Sequence, residues 1–346
     1  MTIQTYSSPA GRINEIKGEM LKIAEPFEVL QLGCTMKKMP KNKGDNITYR
    51  ARIPTGGATT NANTINRWSV TASSYQLQEG QTPNAQAINY RDVNVQIQQY
   101  GVLFGYTSKA GLFHEDDIPG DQKIQTAETM ALVREMVRYG VMKAASTVQY
   151  SGGTTRATVD EKVTYNGLSL MARTLLANHA KMKTRILAAG PAYDTSAIEA
   201  GFIVFCHTDC EHDIRQLQDF VSVAKYGTRQ PINENELGSV GRFRFIVSPE
   251  LAAYANAGAA IAGTTNYSTT GTNGDVYPFI VCAEDAVFDV ALNANFDPFH
   301  IPAGQRTKED PHAQRGYVGA DFWSAALVAN PGWCGVIEAT ITDLDG

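Results

Sequence analysis

The stretches NITYRARI, Asn46 to Ile53, and YRDVNVQIQQY, Tyr90 to Tyr100, decide how this chain is organised. In the first, Ile47, Tyr49, Ala51 and Ile53 alternate with Thr48, Arg50 and Arg52. In the second, Val93, Val95 and Ile97 alternate with Asp92, Asn94, Gln96 and Gln98. A period of two puts each apolar set on one face, so both read as half-buried strands, and the two are expected to pair. Between them, residues 54–89 carry only two charges, Arg67 and Glu79, and few large apolar groups, notably Ile65, Trp68, Val70, Tyr75 and Leu77. That segment cannot build a core of its own. A lone two-stranded ribbon is marginal in water, and structureless excursions beyond about 12–15 residues are uncommon inside a compact domain. The low charge argues against free disorder. The segment therefore reads as a protruding hairpin that orders against a neighbouring molecule, with Trp68, Val70, Tyr75, Leu77 and Glu79 as intersubunit contacts.

The rest of the chain is large enough to supply the body from which such a hairpin protrudes. Its 346 residues allow two or three packed units, and 43% apolar against 19% charged residues favours a globular chain. A net charge of -5 and a pI near 5.7 argue against a surface that neutralises phosphates, so tight wrapping of DNA is not expected. The basic run KKMPKNK, Lys37 to Lys43, is short and broken by Pro40 and reads as a solvated loop. Charged residues from Arg12 to Glu25 interrupt the N-terminal segment, so no secretion signal is expected. The longest uncharged run, Leu251 to Gly274, is Ala, Gly, Thr and Asn, a poor membrane span. Five scattered cysteines fit reduced thiols in a cytoplasm better than a disulfide framework.

Downstream, Asp121 reads as the N-cap of a long helix over 121–148, whose apolar face is Met130, Val133, Val137, Val141, Ala144 and Val148. A second helix is expected around Gly167 to His179. GFIVF, Gly201 to Phe205, reads as a buried strand, and DIRQLQDFVSVAKYG, Asp213 to Gly227, as a helix capped by Asp209 or Asp213. RFRFIVSPE predicts a strand to Val247, then a helix with Ser248 as N-cap and Pro249 first, ending near Gly258. Residues Gly263 to Asp275 read as a mobile polar loop. Strands are expected at Tyr277 to Cys282, Ala286 to Leu292, Phe322 to Val328 and Val336 to Ile341, giving an α+β body.

The strand-to-helix corner FCHTDCEHD crowds two cysteines, two histidines and three carboxylates between Cys206 and Asp213. Cys206, Cys210 and His212 offer a C-x3-C-x-H spacing, whereas structural zinc sites favour C-x2-C pairs supplied twice. Zinc is the minor reading and a plain structural corner the major one. No G-x-S-x-G, H-E-x-x-H, G-x-G-x-x-G or P-loop motif is present, so no catalytic residue and no cofactor is assigned. EDPHAQRG, Glu309 to Gly316, reads as a polar turn before an acid-base pair.

Taken in order, PKNKGDNITYRARIP (Pro40 to Pro54), EGQTP (Glu79 to Pro83), QQYGVLFGYT (Gln98 to Thr107), HTDCEHDIRQLQDFVSVAKYG (His207 to Gly227), ELGSVGRFRFIVS (Glu236 to Ser248) and EDPHAQRGYVGADFW (Glu309 to Trp323) carry a resemblance. They resemble the major capsid proteins of short-tailed double-stranded DNA bacteriophages, which have the HK97-like fold. The resemblance implies an N-terminal arm and lead-in over 1–45, an extended loop over 46–104, and a peripheral domain over 105–184 with spine helix 121–148. A mostly central domain over 185–346 would send its C-terminal strands back to the peripheral domain. It further implies a non-enzymatic shell protein that assembles as hexamers and pentamers in the host bacterial cytoplasm and resides in the virion. Scaffolding, portal and possible decoration proteins are the implied partners, with packaged DNA bound without sequence specificity and no membrane. An encapsulin-like compartment is the nearer alternative, and a zinc enzyme centred on Cys206, Cys210 and His212 the more distant one.

Overall fold

The computed structural model describes residues 28–42, 44–55, 70–80, 85–114, 117–145, 147–184, 199–226, 231–261, 267–306 and 310–344, without the side chains of 293–297. In chain order these form β1 (Cys34–Met39), β2 (Asn46–Arg52), β3 (Tyr90–Gln96), β4 (Gln98–Thr107), α1 (Ser108–Phe113), α2 (Ile118–Met142) and β5 (Thr147–Tyr150). There follow α3 (Tyr165–Ala177), β6 (Phe202–Cys206), α4 (Glu211–Arg215), β7 (Phe220–Ser222), β8 (Glu236–Val240) and β9 (Phe243–Val247). The last four strands are β10 (Tyr277–Cys282), β11 (Val287–Ile301), β12 (Arg315–Val328) and β13 (Cys334–Ala339). They build a seven-stranded sheet in the order β5-β13-β10-β6-β9-β8-β7, a four-stranded sheet β1-β11-β12-β4, and the ribbon β2-β3.

The seven-stranded sheet holds the main core. Every residue of β6, β10 and β13 is buried, as expected of central strands that are apolar runs covered on both faces. Leu168, Met171 and Leu175 of α3 pack into that core, together with Tyr139 and Met142 at the end of α2. The other half of α2 lies on the four-stranded sheet, where Met130 and Val133 meet Tyr100, Val102, Ala320 and Phe322. One helix therefore spans both sheets, and the long strands β11 and β12 run between the same two bodies.

The buried face of α2 differs from the apolar stripe read from the sequence. The helix starts at Ile118 after Asp117, with Asp121 in its first turn, and ends at Met142, so Val148 belongs to β5 and Ala144 is exposed. Its interior side includes Gln122, Thr126, Glu135 and Arg138. Glu135 accepts hydrogen bonds from the backbone N–H groups of Val29 and Leu30, both 2.8 Å. Arg138 donates through Nε and Nη2 to Asp289 of β11 at 2.9 and 2.7 Å, and Ser324 of β12 donates to the other Asp289 oxygen at 3.3 Å. Glu28 reaches Arg134 at 3.2 Å and Arg138 at 3.5 Å. Burial disfavours the Arg138 charge, but Asp289 outweighs it and holds the guanidinium protonated. Charge pairing decides this face, which hydrophobic periodicity cannot detect.

Further expectations give way to tertiary pairing. The helix read over 213–227 is only α4; Asp219 takes a left-handed backbone (φ 63°) and turns the chain into β7, which pairs with the edge of β8. Neither expected carboxylate caps it: Asp209 accepts from the Tyr277 hydroxyl, while Asp213 is bound by Thr342 and Lys162. No helix follows Ser248. Its hydroxyl accepts from Glu250 N–H, and the backbone beyond bonds to another segment, Tyr254 N–H to Val276 O at 2.8 Å and Gly258 N–H to Gly274 O at 2.9 Å. Asn256, with φ 53°, fixes that departure. The described part of the supposed mobile loop, from Tyr267, is tied to buried Asp275, which accepts from Asn256 N–H and from Thr269 N–H and hydroxyl. Lys37 and Lys38, read as loop, lie in β1, parallel to β11.

The Arg138 cluster sets a measurable stability effect. Asp289→Ala leaves a buried guanidinium without its main partner, which costs about 3–5 kcal/mol. In urea denaturation this is expected as a lower midpoint with an unchanged slope.

Candidate assembly surface

The ribbon is anchored at its root, and its described residues beyond Ala51 lose that support. Ile47 pairs with Val95 and Tyr49 with Val93 across β2 and β3, and this inward row is half-buried. Ile47, Tyr49 and Val95 pack against Met39, Ile97, Phe288, Val290 and Leu292. Tyr49 meets Phe288 edge-on, with ring centroids 5.2 Å apart, and Lys37 Nζ lies 4.9 Å from the centre of the same Phe288 ring. Along the ribbon this burial fades: Ala51, the next residue of the row, is exposed. Arg50 forms a bidentate pair with the directly opposed Asp92 at 2.7 and 2.8 Å, which joins the two strands where the body no longer supports them.

Beyond that point every described residue of 70–80 and 85–90 is exposed. Leu77 is 71% exposed, Ile88 60% and Tyr90 58%, with Val70 and Tyr75 about as open. The Ala72–Tyr75 segment makes a single 3-10 turn, and the Tyr75 hydroxyl donates to Gln86 at 3.3 Å. Of the sequence-derived contact residues, Val70, Tyr75, Leu77 and Glu79 share this exposed excursion, while Trp68 lies outside the described residues. Among the described residues these apolar side chains have no cover, and large exposed apolar patches are a common feature of interaction surfaces.

β4 leaves the ribbon at Gln98 and joins β12, and its outward face adds apolar surface that the sequence reading missed. Leu103, Phe299, Ile301 and Trp323 are all partly open there, on the side of the sheet away from α2 by strand alternation. Gly319 lies between Leu103 and Phe299, and a Cβ at that position would collide with the Phe299 ring and the Val102 carbonyl. The signal was present in QQYGVLFGYT, whose apolar residues occupy both alternating faces, but which face would be covered could not be read.

The Cys/His corner separates its candidate ligands. Cys206 and Cys210 are fully buried, and burial raises both thiols above their ordinary range. His212 points to the exposed side, where its Nε2 lies 2.8 Å from Gln216 Nε2. The three do not converge, and no group of three or more His, Cys, Asp or Glu among the described residues is placed to hold a metal ion. The described part of the Glu309 to Gly316 segment is a turn, with Asp310 accepting from Arg315 N–H at 2.8 Å. No described helix is long and apolar enough to cross a membrane.

The whole arrangement matches solved phage capsids. The capsid of Ralstonia phage GP4 superposes with a TM-score of 0.66 over 99% of this chain and 100% of that one, at 9% identity. The capsid of cyanophage Pam1 gives 0.60 over 97% and 99%, at 13% identity. This is the HK97-like fold of phage major capsid proteins. In sequence, the chain is similar to the major capsid protein of Pseudomonas phage KPP21, 22% identical over 263 residues. That alignment spans 70% of this chain and 66% of the relative, just under two thirds of its length. No protein-family model matches. The relatives are shell proteins, and nothing among them supports a compartment or zinc-enzyme alternative.

In this capsid fold, the root contact fixes the direction of the ribbon. Phe288→Ala removes the edge-on partner of Tyr49, a contact worth about 0.5–1.5 kcal/mol beyond its burial. Limited proteolysis of the unassembled variant is expected to cut within 70–90 faster than in the parent, while the rest of the chain resists as before.

Proposed function

We infer that this chain is a major capsid protein, which self-assembles into the icosahedral shell enclosing a phage double-stranded DNA genome. The observation that carries the reading is that every described residue of 70–80 and 85–90, the apolar ones included, is exposed on a body with the capsid fold. Its mechanism is geometric. Copies form hexamers and pentamers, and the hairpin of one copy buries Val70, Tyr75, Leu77 and the flanking Trp68 and Glu79 against the next. In this reading 1–45 is an arm and lead-in, 46–104 the extended loop, 105–184 the peripheral domain and 185–346 mostly the central domain. The α2 helix is then the spine, and its buried charge cluster makes it a rigid strut rather than a greasy one.

The negative net charge suits a container wall that must not trap DNA during packaging, so DNA is held by confinement without sequence readout. Assembly takes place in the host bacterial cytoplasm with scaffolding and portal proteins, and decoration proteins are possible additions; the product is the virion shell. Electron microscopy of the overexpressed chain, alone and with the scaffolding and portal proteins of its genome, tests this. Closed shells or capsomers support it; a monodisperse monomer under both conditions removes it.

The hairpin role separates assembly from folding. Tyr75→Ser with Leu77→Ser alters exposed positions and is expected to leave subunit stability within about 0.5 kcal/mol. The same pair is expected to abolish most closed shells in sizing and microscopy. Trp68→Ala is expected to act the same way. Equal loss of folding and assembly in thermal melts and sizing would count against the division.

A further inference from the structure

β10 and β13 run antiparallel through the middle of the seven-stranded sheet, and their register sets Cys282 directly opposite Cys334. The adjacent pair, Ala283 and Trp333, is joined by a bond from Ala283 N–H to Trp333 O at 3.1 Å. Antiparallel pairs alternate between hydrogen-bonded and non-hydrogen-bonded types. Cys282 and Cys334 are thus of the second type, with Cα atoms about 4.5 Å apart and side chains close together. Disulfides span Cα separations of about 4.4–6.8 Å, so this pair can be bridged without moving either strand. Directly opposed residues share one face of the sheet, and both thiols are fully buried in the core. All five cysteines are free, and no other two of them are ladder partners among the described strands.

We propose that Cys282 and Cys334 form a redox-modification site, which closes to an intrachain disulfide joining β10 to β13. The co-reactant is a small peroxide, because both sulfurs are closed to solvent and a bulky disulfide reagent has no room to form a mixed intermediate. Peroxide transfers one oxygen to the Cys282 sulfur, giving a sulfenic acid and one water. The Cys334 sulfur then attacks the Cys282 sulfur; the S–O bond breaks, the S–S bond forms, and a second water leaves with the remaining thiol proton. Two thiols are oxidised by two electrons, and one peroxide is reduced to two waters. The neighbouring Cys334 thiol and burial push the Cys282 thiol up, and the Lys183 ammonium opposes them; Cys282 is thus the member of the pair with a cation acting on it, and the first oxidation is placed there. Cys34 is the competing third thiol of the cluster.

The chain between Cys282 and Cys334 contains the entire β11–β12 hairpin, so the bond ties the two points at which that hairpin leaves the seven-stranded sheet. For a shell released from a reducing cell, the staple would close after exit. That consequence rests on the shell reading, whereas the bond itself does not.

The free chain, purified under reduction, is treated with dilute hydrogen peroxide, its remaining thiols are alkylated in denaturant, and it is digested without reductant. The expected product is a cross-linked peptide joining Cys282 to Cys334, two hydrogens lighter than the separate peptides, with a melting temperature several degrees higher that reductant reverses. Cys282 and Cys334 both alkylated, separately over-oxidised, or linked instead to Cys34 would each overturn the proposal. Cys34→Ser keeps both partners and is expected to retain the cross-link. Because the mapping needs only the parent chain, a misfolded variant does not decide it, and because it needs no shells, its failure is distinct from failure of assembly.

Discussion

The Arg138 guanidinium, with 1% of its side chain exposed, is the point to which the rest of the architecture is referred. A charge in that position is tolerable only if its partners arrive together: Asp289 from β11, Glu135 from the preceding turn of α2, and Glu28 from the lead-in. Each comes from a different part of the chain. Once they meet, the helix cannot rotate on the sheet without stranding a charge, whereas an apolar stripe would tolerate small slides. The same cluster fixes the lead-in, because Glu135 also accepts the N–H groups of Val29 and Leu30.

From that fixed helix the geometry of the hairpin follows. α2 positions the four-stranded sheet, β11 of that sheet presents Phe288, and Phe288 with Val290 and Leu292 seats the root of the ribbon. The ribbon then leaves the body with its inward row exhausted at Ala51. Extending a chain costs conformational entropy, and beyond Ala51 the described residues of the excursion bury no side chain of their own to offset it. Other ion pairs lock the central body in the same manner. Glu236 is bound by Arg244, the Tyr226 hydroxyl and Ile232 N–H, and Glu338 by a bidentate Arg156 that stacks 3.6 Å from the Tyr254 ring centre.

Much of the strand content was legible because it obeys local rules. The alternation in NITYRARI and the apolar runs FIVFC and YPFIVC predict strands without knowledge of partners, and β10 has the expected bounds. The exposure of Val70, Tyr75 and Leu77 was legible for the opposite reason, as apolar residues with too little around them to make a core. Illegible were the helices proposed after Ser248 and across Leu217 to Ala224. There the periodicity was helical, but Asn256 and Asp219 adopt left-handed backbone and hand the chain to strands elsewhere. Also illegible was the fate of the cysteines, since spacing along the chain says nothing about which thiols a sheet register will oppose.

By itself, then, the sequence determined that strands dominate, that one long helix is present, and that the residues described at 70–80 and 85–89 stay exposed, because period, length and charge density are local properties. Tertiary structure alone decided which face of α2 is buried, that Cys282 looks at Cys334 while Cys206, Cys210 and His212 diverge, and where the ribbon stops being supported. Those outcomes depend on pairing between residues more than a hundred positions apart or on strand register, and neither leaves a periodic trace in the chain.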